Sequence, residues 1–176
     1  FSPVLRPFRG RLSRRRLDLF TAFLAASVVG RFEAALEEIV ALAVLMPIVA
    51  GMGGNAGTQV LALMVRGMAL GQVSSTNLPT LVWKELRVAL MNGVLLGALV
   101  GTVTLAWFRD GGLALVIFAA MVINLVCAAT AGVLVPMLLR RFNVDPAVGG
   151  GVFLTTVTDV MGFFAFLGLA SLFLLR

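Results

Sequence analysis

The sequence predicts an all-α integral membrane protein, and three observations carry that prediction. Hydrophobic residues make up 60% of the 176 and charged residues only 12%, against roughly a quarter charged in soluble domains. Mean hydropathy is +1.06. Long apolar runs alternate with short polar connections, and the length allows about five spans of roughly 20 to 25 residues with their loops. A single bundle of five transmembrane helices per subunit is expected, completed by oligomerisation, with no room for a second soluble domain.

Taken in order, residues 1–16 are a basic lead-in with Arg6, Arg9, Arg11, Arg14, Arg15 and Arg16 and two prolines. No apolar core of a signal peptide is present there. The lead-in is read as cytoplasmic, either docking on anionic headgroups or connecting to a larger cytoplasmic portion. Residues 17–176 form the five-helix membrane unit. Its first run, Leu17 to Gly30, is extended by RFEAALEE, where Glu33 and Glu37 share a face. The second, from Ile39 to about Leu70, exceeds one straight span and is expected to be interrupted at GMGGNAGTQ, after a kink at Pro47.

After SSTNLP the third span runs to about Trp107, with Trp83, Lys84, Glu85 and Arg87 at its head. Gly93, Gly97 and Gly101 recur every fourth residue along it, which predicts a seam for close helix packing. RDGG leads into the fourth span, Leu113 to Leu139, whose one weakly polar stripe is Asn124, Cys127, Ala128 and Ala131. FNVDPAV then turns the chain into the fifth. With five spans, a cytoplasmic amino terminus places the lead-in arginines, Arg66, Lys84, Arg87, Arg140 and Arg141 inside, and Arg31, Arg109 and Arg176 outside. That satisfies the positive-inside rule and puts the carboxyl terminus outside a plasma or inner membrane.

The fifth run, Gly150 to Arg176, holds a single carboxylate, Asp159. An acid near mid-membrane costs on the order of 2.5 to 3.5 kcal/mol, so it is expected to face a partner, a cavity or an ion. Helical spacing sets Thr155, Asp159, Gly162 and Phe166 along one side with Thr156 beside them, a narrow polar face suited to a cation path. The competing reading is that Asp159 only hydrogen-bonds a neighbouring helix.

A second polar segment, PIVAGMGGNAGTQ, has glycines at 51, 53, 54 and 57 together with Asn55, Thr58 and Gln59. It is no phosphate loop, because no Lys-Ser/Thr follows the glycines and the flanks are membrane helix. The glycines expose carbonyls and the side chains add oxygens; alternatively, the glycines serve packing and Asn55 and Gln59 bridge helices. With Asp159 these oxygens suit a hard divalent ion such as Mg2+ with its hydration largely intact, and two subunits bring two copies of Asp159 to one axis. One cysteine, Cys127, and no histidine exclude an intrachain disulfide and argue against zinc or haem. The net charge of +6 lies between apolar segments and not as a nucleic-acid patch. No nucleophile and base pair points to an enzyme.

The runs PIVAGMGGNAGTQVLALMVRGMA, FNVDPAV and TTVTDVMGFFAFLGLA, in that order and with RFEAALEEIVALA before them, resemble the membrane domain of the MgtE family of magnesium channels. The resemblance implies a homodimer of five-helix subunits that passes Mg2+ down its electrochemical gradient, with the pore at the subunit interface between second and fifth helices. Mn2+ or Ca2+ are further candidate ions. Asp159 occupies the family's pore aspartate, and Gly51, Gly54, Thr58, Thr155 and Gly162 match positions along the ion path, with Asn55 and Gln59 in the same signature. Of these, Asp159, Thr155, Gly51 and Thr58 are the expected metal-holding residues. Glu33 matches an acidic position after the first helix and is an accessory candidate.

Val152 stands where the family often has Pro, Met161 where Thr is common, and Thr58 where Asn is common. The family's cytoplasmic regulatory domains lie outside this chain, so it is either an excised membrane domain or regulated otherwise. The alternative function is a secondary divalent-cation transporter coupled to H+ or Na+. A membrane scaffold without transport is the reading from another class.

Overall fold

The computed structural model describes residues 5–175, with side chains from residue 7 to 175. The first residues of the basic lead-in and Arg176, counted above with the external charges, lie outside the described residues. Six helices occur among them: α1 Leu5–Gly30, α2 Glu33–Glu38, α3 Val40–Ala69, α4 Leu78–Phe108, α5 Gly111–Arg141 and α6 Pro146–Phe173. No strand occurs among the described residues.

Helices α3, α4, α5 and α6 are long and apolar enough to cross a membrane. At 1.5 Å per residue each is over 40 Å long, more than the roughly 30 Å hydrocarbon core requires. The chain is therefore a multi-pass membrane protein. Helix α1 falls short of that standard, because its first half carries the arginines and its apolar part, residues 17–30, gives only about 21 Å of helix.

Helix α5 is the centre of the bundle and packs on α3, α4 and α6, while α1 leans on α6. The α4–α5 contact follows from the glycine seam. Gly93, Gly97 and Gly101 are buried, and a Cβ on them would come 3.1 Å from Val122 Cα, 3.1 Å from Phe118 Cδ2 and 3.2 Å from the Ala114 carbonyl. The fourfold spacing expected to bring two helices together does so.

Two expectations are corrected. The glycine-rich segment does not interrupt the second span: α3 runs unbroken through GMGGNAGTQ and past Pro47. In an apolar surrounding a broken backbone leaves polar groups without water, so the helix is kept despite its glycines. Two of those glycines, Gly53 and Gly57, instead face neighbouring side chains at close range. Nor does RFEAALEE extend the first helix. The chain turns after Gly30, α2 is separate, and Phe32 at the turn stacks edge-on against Phe164 at 6.1 Å.

The connections are set by local caps. Asp110 accepts a hydrogen bond from the Leu113 amide at 3.1 Å to start α5. Asp145 accepts one from the Ala147 amide at 3.0 Å, with Pro146 in the first turn, to start α6.

Gly97→Val is expected to lower the melting temperature of the detergent-solubilised protein, since overpacking costs about 1–3 kcal/mol. Gly10→Ala, with nothing within 4 Å of the added methyl, should leave it unchanged or raise it slightly. Differential scanning fluorimetry checks both.

Candidate cation site

Helices α3 and α6 run antiparallel, and their contact is made by small residues. A Cβ on Gly57 would meet Leu154 at 2.9 Å, one on Gly150 would meet Leu61 at 2.9 Å, and one on Gly54 would lie 4.0 Å from Thr158 Oγ1. Behind this contact Asn124 of α5 is fully buried. Its Nδ2 donates to the Val49 carbonyl at 2.8 Å, while Oδ1 has no partner. A methyl on either Gly53 or Gly162 would collide with that amide.

The outward faces of the two helices are polar. On α3, Gly51, Asn55 and Thr58 are exposed, at a spacing that keeps them on one side. On α6, Thr155 is exposed and Asp159 half-buried. Thr155 Oγ1 donates to the Gly151 carbonyl at 2.7 Å, Thr156 Oγ1 to the Val152 carbonyl at 2.8 Å and Thr58 Oγ1 to the Gly54 carbonyl at 2.7 Å. Each hydroxyl thus spends its proton on its own helix and keeps its lone pairs for a visitor.

Thr155, Thr156 and Asp159 line an open cleft of about 430 Å³ between α6 and α1, whose opposite wall includes Asp18 and Thr21. Gly51, Asn55 and Thr58 do not line this cleft; within one subunit they are exposed on the neighbouring helix. Gln59 points elsewhere, into a cavity shared with Glu85 and Asn92. Gly162 is buried against Asn124, and Phe166 is buried in the core, so the polar stripe read from the sequence is open at Thr155 and Asp159 and covered from Gly162 onward. Glu33 is exposed in the first turn of α2, away from the cleft.

Asp18 and Asn124 were not singled out as site residues in the sequence. Asp18 carried a signal nonetheless, as an acid one residue inside the first apolar run. No group of three or more His, Cys, Asp or Glu side chains gathers among the described residues.

The family described as divalent cation transporter, MgtE, matches residues 46–169, a stretch that contains the polar faces of both α3 and α6. The chain belongs to the MgtE family. It is 32% identical over 158 residues to the magnesium transporter MgtE of Bacillus subtilis, covering 90% of this chain and 35% of that protein. To the magnesium transporter MgtE of Enterococcus faecalis it is 34% identical over 156 residues, 89% of this chain and 34% of the relative. The magnesium transporter MgtE of Thermus thermophilus is 33% identical over 157 residues, again 89% and 34%. The chain spans about a third of the length of these relatives.

Gly53→Ala should destabilise the protein by about 1–3 kcal/mol, because the Asn124 amide has no room to retreat. Gly51→Ala, with nothing within 4 Å of the new methyl, should not. Thermal unfolding of the two variants side by side checks the placement of Asn124.

Proposed function

We propose that this chain is the membrane domain of a magnesium transporter that works as a homodimer and passes Mg2+ down its electrochemical gradient through a pore between the subunits. The observation that carries the reading is Asp159: an acid within an apolar helix, turned to an open polar cleft, with no ion pair among the described residues. Relatives named as magnesium transporters over nine-tenths of the chain support the ion. The exposed polar face of α3 supports the second subunit, since the Asn55 carboxamide facing lipid would have no partner.

In this reading Asp159 and Thr155 hold the hydrated cation, and Gly51, Gly54, Asn55 and Thr58 line the path from α3. Gly162 acts from inside, by letting α6 approach Asn124. Gln59 and Glu33 fall outside the path. Residues 17–176 form the five-helix unit, with the apolar part of α1 as the fifth crossing. The arginines of its first half sit at the cytoplasmic surface, where their long side chains reach headgroups. The amino-terminal side is cytoplasmic and the carboxyl terminus external. The same pore admits other hydrated divalent ions, Mn2+ and Ca2+, to the extent that their water shells match the path.

Liposome flux tests this directly. Mg2+ uptake should follow the Mg2+ Nernst potential and ignore an imposed pH or Na+ gradient; dependence on either gradient would mean coupled exchange instead. Asp159→Asn should cut uptake about tenfold or more, as expected when the charge holding a divalent ion is removed. Equal rate and selectivity in the variant would refute the site.

Across the expected interface, Thr155→Cys in a Cys127→Ser background should give a cross-linked dimer on mild oxidation, read on a non-reducing gel. A monomer only would count against the interfacial pore.

A further inference from the structure

The cleft at Asp159 has a second wall, and that wall is α1. Asp18 and Thr21 project from α1 into the same space that Thr155, Thr156 and Asp159 reach from α6. The chemistry of this lining is one-sided. Thr21 Oγ1 donates to the Asp18 carbonyl at 2.9 Å, as Thr155 and Thr156 donate to carbonyls of α6. With their protons committed, all three hydroxyls offer only lone pairs to the cleft, and a carboxylate is an acceptor by nature. No lysine or arginine nitrogen lies within 4.0 Å of either carboxylate among the described residues.

A cavity that only accepts hydrogen bonds selects a guest that only donates them and carries positive charge. A hydrated divalent cation is such a guest, since its metal-bound waters turn their oxygens inward and their protons outward. Size agrees: six waters at about 30 Å³ each need about 180 Å³, well within the 430 Å³ of the cleft. Magnesium, which sheds water reluctantly and is bound through one or two carboxylates, fits this donor set.

We propose that Asp18 is a second cation-holding residue, which with Asp159 and the three threonine hydroxyls makes the α1–α6 cleft a site for one hydrated divalent cation within a single subunit. This rests on the reading of Asp159 as part of a cation path and deepens it. A single Asp159 per subunit would leave a dication half-neutralised until it met the partner's copy. Asp18 supplies the second charge on the way to that point, so each subunit can load its own ion.

The test is Mg2+ uptake into liposomes by wild type, Asp18→Asn, Asp18→Glu and Asp159→Asn, over a range of Mg2+ concentrations. Asp18→Asn should raise the half-saturating Mg2+ concentration about three- to tenfold, the effect of one charge on a dication across a screened, watery gap, with the maximal rate little changed. Asp18→Glu should restore it. Cobalt(III) hexaammine, an exchange-inert cation whose ligands can only donate, should inhibit wild type and inhibit Asp18→Asn more weakly by a similar factor.

Unchanged half-saturation in Asp18→Asn, alongside impaired Asp159→Asn, overturns the role of Asp18 and leaves the proposed function intact. Loss of maximal rate that Asp18→Glu does not restore makes Asp18 a packing residue and overturns it as well. Full uptake by Asp159→Asn overturns both proposals.

Discussion

The arrangement depends on one buried carboxamide. Asn124 sits where α3, α5 and α6 meet, held by a hydrogen bond to the Val49 carbonyl and flanked by two positions, Gly53 and Gly162, that have no side chain to displace it. Because a buried amide costs several kcal/mol unless it is bonded, its one made bond fixes the level at which α5 meets α3. The glycines then fix how closely α3 and α6 can approach. Everything outward of this point, the exposed face of α3 and the open stretch of α6 at Thr155 and Asp159, is set by this meeting of three helices.

This explains why the same side of α6 changes character along its length. On this side the stretch with Thr155 and Asp159 is only partly covered, by α1, leaving a cleft. Gly162 and Phe166 lie a turn or two further, where α5 closes over them. A helical wheel treats these four residues as equivalent, since it records angle and not depth. The polar stripe was therefore legible in the sequence, but its length was not.

Other features divide in the same physical way. The fourfold glycine repeat of α4 could be read directly, because a seam without side chains has one use, close approach, and Val122, Phe118 and Ala114 fill it. The glycines of α3 looked like a break because glycine weakens an isolated helix by about 1 kcal/mol per residue. In an apolar bundle the alternative is backbone without hydrogen bonds, a larger loss, and the helix survives. Residue propensity was outweighed by surroundings that local sequence does not describe. Asp18 escaped notice for a related reason. Following three arginines, it reads as part of a charged border, and only the lean of α1 on α6 brings it opposite Asp159.

The hydroxyls carry the last step. A threonine on a membrane helix can return its proton to the carbonyl one turn back, and Thr21, Thr58, Thr155 and Thr156 all donate within their own helices. That choice removes the hydroxyl donors from the surfaces they face. In the proposed function, a surface of acceptors repels anions and binds a cation's water shell through many weak contacts. In that reading such contacts favour holding over stripping, because magnesium sheds its waters reluctantly. Selection for a hard, hydrated dication in the proposed function rests on where Thr21, Thr155 and Thr156 send their protons as much as on the carboxylates.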